Sequence, residues 1–372
     1  MNSNQANATH TNRLDYLDSL RGIAAISVCI QHIFGYLHHE ASVEVLMPFF
    51  SFMTSGMLDW GRFGVVLFFL ISGFIIPKSL RPNSSIETFL ISRFFRLYPA
   101  FWLALVLIYI SDPYLSRDGG FTVNQLIANL TMAPKLFHQN YMSGVFWTLF
   151  IEILFYACCV IFFKLKLLEN SVAVGIAAIG LCVITPISIL ANQLLQLSIP
   201  VQFISLHLSF LFLGNLLRLA LVDKDKKALG FSVCFVILSI FSITVSSGVI
   251  YPVVEASKTG FVMFNYPTNI FAYALALSLF VLIIHFKKFK NKLLIGAGEI
   301  SYSLYLMHML CYVFLAQFIP LNSIANVVTF LLLSALLSYL VAKLSFTFVE
   351  YPTIQWGKQI VKSKSQMKSA LN

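Results

Sequence analysis

Apolar runs long enough to cross a bilayer recur along this chain from residue 17 to residue 348, and they constrain its fold more than any other feature. A spanning helix needs about 20 apolar residues, because the hydrocarbon core is about 30 Å thick and a helix rises about 1.5 Å per residue. No water reaches backbone polar groups in that layer, so each run must close its own hydrogen bonds, as a helix does. Of 372 residues, 58% are hydrophobic and only 11% charged, too few charges to wet a soluble protein of this length. These features predict an all-α, polytopic integral membrane protein.

The runs place spans at 17–38, 63–80, 94–111, 146–168, 171–190, 203–221, 229–249, 269–286, 300–318 and 324–348, about ten transmembrane helices. The segment 121–138 is less apolar and interrupted, which predicts a surface or re-entrant helix beside the fourth span. Loop charges test the count. With the N-terminus inside, the cytoplasmic segments carry nineteen Lys and Arg, from Arg13 to Lys368, and the opposite face only Arg62, Arg117, Lys135 and Lys258. That asymmetry is what the positive-inside rule demands, and it predicts that both termini are cytoplasmic. The net charge of +10 then reflects topology at an anionic leaflet rather than nucleic-acid binding.

Residues 1–13 form a polar tail without a cleavable apolar leader, so the first span is expected to be an uncleaved anchor. Residues 14–353 make one membrane domain and 354–372 a basic cytoplasmic tail. The six cysteines all fall in spans and show no paired spacing, so they are expected to be small apolar residues rather than disulfides or metal ligands.

Ionisable side chains cost a few kcal/mol or more each at a bilayer centre, and so they mark where function is sought first. The first span carries Arg21 and His32 in LDSLRGIAAISVCIQH. The offset of eleven positions amounts to about three turns, or about 16 Å along one helical face. Asp18, three residues before Arg21, shares that face and can pair with it. Taken singly, Arg21 also fits a side chain snorkelling to headgroups, and His32 a hydrogen-bonded bundle histidine.

Ser72 and Gly73, in FFLISGF, are small enough for a helix or ligand to come close. Arg93 and Arg96, in SRFFRLYPAFW, lie one turn apart at the start of the third span. They fit bidentate binding of the phosphates of a nucleotide-containing donor, and equally plain positive-inside charge. Glu152 stands among Phe, Ile and Leu about one and a half turns into the fourth span, which implies Arg21 or a polar substrate as its partner. Ser301, Tyr305 and His308 share a face of the ninth span and, with Trp147 at the start of the fourth, are candidate cavity-lining residues. Glu350, before a helix-stopping Pro352, reads as an interface marker. Asp223-Lys224-Asp225 reads as a solvated turn, and the glycosylation pattern at Asn129 carries weight only if the source is not bacterial.

The segments LDSLRGIAAISVCIQH, FFLISGF, RFFR, WTLFIE, SYSLYLMH and VEYP follow one another between about residues 13 and 353. In that order they resemble acyltransferase family 3, membrane proteins that O-acylate O-antigens, exopolysaccharides, nodulation factors and some antibiotics. Tyr351 departs from the arginine that the family often has there. The resemblance implies that Arg21 and His32 are the family's essential pair, that Arg93 and Arg96 bind acyl-CoA, and that Ser72 and Gly73 belong to the donor site. Glu152 matches the family's buried glutamate. The family often carries a fused periplasmic esterase-like domain, which this chain is expected to lack.

The expectation is therefore a multi-pass enzyme of the bacterial inner membrane. It would move an acyl group, by default acetyl, from cytoplasmic acyl-CoA to a carbohydrate hydroxyl, such as one on O-antigen or exopolysaccharide, without a metal or nucleic acid. His32 would act as general base, a role suited to its ordinary pKa of about 6.5. Arg21 would stabilise an oxyanion or a CoA phosphate, with Asp18 and Glu152 orienting the cations. An acyl-histidine intermediate is the alternative chemistry. The alternative function is a transporter or flippase of lipid-linked saccharide, whose polar stripes would line a pathway.

Overall fold

The computed structural model describes residues 15–56, 58–80, 85–115, 120–195, 201–246, 266–286, 289 and 291–371. Fourteen α-helices follow one another among them: α1 (Asp15–Glu40), α2 (Met47–Ser51), α3 (Trp60–Ile75), α4 (Ile86–Leu115), α5 (Val123–Asn129), α6 (Trp147–Lys164), α7 (Ser171–Leu194), α8 (Val201–Leu221), α9 (Lys226–Thr244), α10 (Tyr266–Phe286), α11 (Lys292–Glu299), α12 (Ser301–Ala316), α13 (Ile324–Ser345) and α14 (Tyr351–Leu371). Nine helices among the described residues are long and apolar enough to cross a bilayer, and the bent pair α11–α12 makes a tenth. Each predicted span coincides with one of them. Arg13, Arg81, Arg117, Lys258, Lys287, Lys288 and Lys290 of the charge count lie outside the described residues.

Two features depart from the sequence reading. The ninth span does not simply begin near residue 300: α11 precedes it and meets α12 at a bend of 78°. The tenth span does not stop at Pro352. A π-helical turn at Phe346–Glu350 leads straight into α14, which carries Pro352 as its second residue. The expected basic tail is thus largely helical. It packs back on α4, with Trp356 against Phe95 at 5.7 Å between ring centroids and Lys364 paired with Glu87.

The segment 121–138 holds only α5 and a 3-10 turn, too short to span, as its interrupted pattern predicts. Thr122 and Gln125 form a capping box that starts α5. Asn129 is buried and staples this loop, donating to the Gln125 and Asn140 carbonyls and accepting from the Met142 N–H at 3.2 Å. It is a structural residue and not an exposed glycan acceptor.

Apolar surface provides no drive for helices to associate in lipid, so the bundle is closed by small residues that bring backbones together. A Cβ on Gly73 would sit 1.9 Å from the Leu211 carbonyl oxygen, and one on Gly214 2.4 Å from that of Leu70. α3 and α8 therefore touch backbone to backbone. A second such crossing joins α1 to α11, where a Cβ on Gly298 would lie 1.8 Å from the Asp18 oxygen and one on Gly22 2.2 Å from that of Leu294. At the basic end, buried Arg218 is braced by Asn215 on its own helix at 3.1 Å and ties α8 to its flanking loops through Asp223 at 2.7 Å and Glu169 at 3.6 Å. Asp225 caps α9, accepting from the Lys227 and Ala228 N–H groups. The Asp-Lys-Asp turn is thus a helix start held by an ion pair. The described cysteines are all free, Cys159, Cys182 and Cys311 buried and Cys234 exposed on the bundle surface.

Candidate functional site

α1 is unbroken from Asp15 to Glu40, so Arg21 and His32 stay about 16 Å apart on it. Each opens into its own cavity. The narrower one encloses about 90 Å³ and is lined by Arg21, Ser72, Arg93, Arg96, Glu152 and Ser301, together with apolar residues of α3 and α4. The wider one encloses about 660 Å³, and His32, Gln31, Asp59, Arg62, Lys135 and Trp147 are among its walls. Val65 and Tyr305 face both cavities. The Tyr305 hydroxyl is held in that shared wall by Thr148 Oγ1 at 2.7 Å and by the Val145 carbonyl, to which it donates, at 2.7 Å.

The narrow cavity gathers cations. Arg21 is paired with Asp18 at 3.1 Å, and Asp18 is buried beneath it rather than facing the cavity. The Arg93 guanidinium lies over the Phe89 and Tyr156 rings at 5.5 and 5.9 Å, and its Nε is buried without a hydrogen-bond partner. Glu152 accepts a hydrogen bond from Tyr156 at 2.6 Å. Its partner is therefore first a tyrosine one turn along α6, with Arg21 exerting its charge across the same cavity. Glu350 is no interface marker. It is 2% exposed, accepts from Ser303 at 2.7 Å, and faces the electrostatic pull of Arg96 and Arg21. Three guanidiniums line the chamber against one lining carboxylate, Glu152, which suits its surface to an anion.

The wide cavity mixes aromatic faces with hydrogen-bonding groups. The Trp147 indole packs edge-on to His207 at 5.0 Å, and the Tyr273 hydroxyl lies 3.4 Å from His207 Nε2. Asp59 caps α3 and grips the Arg62 side chain at 2.7 Å. Gln31 accepts from the Trp60 N–H at 3.1 Å and donates to the Thr54 carbonyl, fixing the connection ahead of α3. Tyr141, in the connection before α6, is pushed up to about 12 by burial and stays a neutral hydroxyl over the whole physiological range.

Of the residues singled out from sequence, Arg21, Ser72, Arg93, Arg96, Glu152 and Ser301 meet in the narrow cavity, His32 and Trp147 in the wide one, and Tyr305 between them. Gly73 faces α8 and serves the helix crossing instead of a ligand. His308 lines neither cavity and sits behind His32, 5.4 Å away between ring centroids. His207, Asp59, Arg62, Gln31 and Tyr141 were not singled out. His207 was findable, since a histidine inside an apolar span carries the same signal as His32.

A family model described as an acyltransferase domain matches residues 14–343. The chain belongs to acyltransferase family 3. Curated relatives of this family member include nodulation protein 10 of Rhizobium leguminosarum bv. viciae, 28% identical over 41% of this chain and 44% of the relative. Acyltransferase MdmB of Streptomyces mycarofaciens is 30% identical over 46% of each chain. The O-acetyl transferase of Shigella phage Sf6 is 30% identical over 37% of this chain and 43% of its own length. The matched stretches thus span less than half the length of these relatives. No solved structure matches the chain significantly.

Proposed function

We propose that this family member moves an acyl group, acetyl by default, from cytoplasmic acyl-CoA to a hydroxyl of a cell-surface or lipid-linked carbohydrate at a bacterial inner membrane. The observation that carries this reading is the pair of cavities meeting at Tyr305, with three arginines in one and His32 in the other. Positive-inside loop charge supports the arginine cavity as the cytoplasmic one. Phosphates of the donor would bind Arg93 and Arg96 at its mouth, and the slender pantetheine arm would thread the narrow cavity toward Tyr305. The separation of about 16 Å along α1 suits such an extended arm. In this reading Arg21 belongs with the donor, away from the reacting carbonyl, rather than at an oxyanion beside His32. A carbohydrate fits the wide cavity, since Trp147 offers an apolar face and Gln31, Asp59 and Arg62 offer hydrogen-bonding groups.

In the transfer step His32 takes the proton of the acceptor hydroxyl as its oxygen attacks the thioester carbonyl. The C–S bond breaks, the proton passes on to the leaving sulfur, and an ester and free CoA thiol result. Purified protein in liposomes, given acetyl-CoA and a cell-surface glycan extract, is expected to release CoA in proportion to acylated glycan. His32→Ala should lower the rate by at least about 100-fold, the usual contribution of a general base. Full activity in a folded His32→Ala protein would sink the assignment. Glycan movement across the membrane without CoA turnover would instead favour the flippase reading.

A further inference from the structure

His308 is 1% exposed on α12, and its Nδ1 lies 2.9 Å from the Tyr305 carbonyl oxygen and 3.2 Å from that of Leu304. Both neighbours only accept, so Nδ1 must carry the proton and Nε2 must present a lone pair. That Nε2 is buried and has no hydrogen-bond partner. An unsatisfied buried acceptor costs about 1–3 kcal/mol, so such an atom calls for a use. The ring closest to that of His308 is His32, with centroids 5.4 Å apart and planes tilted by 47°. Two imidazoles joined by an N–H···N bond of about 3 Å have centroids a little farther apart than about 5 Å. The observed separation therefore matches such a bond once a His32 ring nitrogen is aimed at His308 Nε2. The other rings within reach of His308 are Tyr305 at 6.2 Å, whose hydroxyl is already engaged by Thr148 and Val145, and Tyr312 at 6.4 Å.

We infer that His308 is the positioning residue of the reaction, accepting a hydrogen bond from one nitrogen of His32 so that the other nitrogen faces the wide cavity unprotonated. Two backbone carbonyls set the tautomer of His308, and His308 sets that of His32. The N–H between the two rings stays in place while the outward nitrogen of His32 collects and returns the acceptor proton. A neutral acceptor in this position orients the base without placing a carboxylate in the apolar layer, where ionised groups are costly. The inference rests on the assignment of His32 as general base.

The experiment compares wild type, His32→Ala, His308→Leu and His308→Gln in liposomes, measuring CoA release from acetyl-CoA with a glycan extract and thermal melting of each protein. His308→Leu keeps the apolar bulk and removes the acceptor, and it is expected to lower kcat by about 100-fold or more with KM for acetyl-CoA unchanged. His308→Gln offers a carbonyl oxygen near the lost Nε2 and is expected to recover at least a tenth of wild-type kcat. Wild-type kcat in His308→Leu, or equal losses in folded Leu and Gln variants, would overturn the positioning role. Activity in His32→Ala would instead remove the reading beneath it, so the two failures are told apart.

Discussion

At the level of single residues, the narrow cavity owes its character to guanidiniums that are incompletely neutralised. Arg21 has Asp18, but the Arg93 Nε is buried and unpartnered, and Arg96 has Glu350 only through space across the helix packing. Under the proposed function such groups would bind phosphate oxygens, and a hydrogen bond to a charged partner contributes about 1.5–3 kcal/mol. Arg96→Gln is therefore expected to raise KM for acetyl-CoA by about 10- to 100-fold while changing kcat little. Steady-state kinetics at saturating glycan would check this, and a lowered kcat with unchanged KM would place Arg96 at the reacting carbonyl instead. The sequence made the arginine pair and Glu152 visible, because ionisable residues stand out against apolar runs. Glu350 was misjudged, since its position beside a proline suggests a helix end whereas the π turn carries it into the interior.

At the level of helices, function depends on where glycines let backbones meet. The α3–α8 crossing at Gly73 and Gly214 turns the neighbouring Ser72 into the narrow cavity, so the small pair in FFLISGF divides into one packing residue and one lining residue. Gly73→Ala would drive a methyl group into the Leu211 carbonyl, 1.9 Å away, and the helices must part to admit it. Overpacking of this kind costs about 1–3 kcal/mol. A lower melting temperature in detergent and a widened donor site, seen as a raised KM for acetyl-CoA, are the expected outcomes, and unchanged melting would contradict the crossing. The bend between α11 and α12 belongs to the same scale. Gly298 presses α11 onto the start of α1, which sets Ser301 at the narrow cavity and, two turns on, His308 behind His32.

For the molecule as a whole, the two cavities meet at one wall, and under the proposed function they give two substrates separate approaches to it. With the basic loops facing the cytoplasm, cysteine placed at Lys364 should react with a membrane-impermeant maleimide only in opened spheroplasts. Cysteine at Lys135, beside the wide cavity, should react in intact ones. Labelling of both from the same side would overturn the span count or the orientation. The spans themselves were readable from the chain because hydropathy is a property of each residue and every bilayer-crossing helix satisfies its own backbone. The same independence explains why the spans and the short α5 could be recognised without knowing any neighbour, whereas the α11–α12 bend and the helix running on through Pro352 could not. What only the tertiary structure decided is how distant spans share space. The division of Arg21 from His32 into separate cavities, the wall at Tyr305, the His207 and Arg62 surroundings of the wide cavity and the contact of His308 with His32 all arise between helices far apart in sequence. A cavity is the volume left when those helices meet at particular small residues, and no local pattern of apolar and polar residues encodes that remainder.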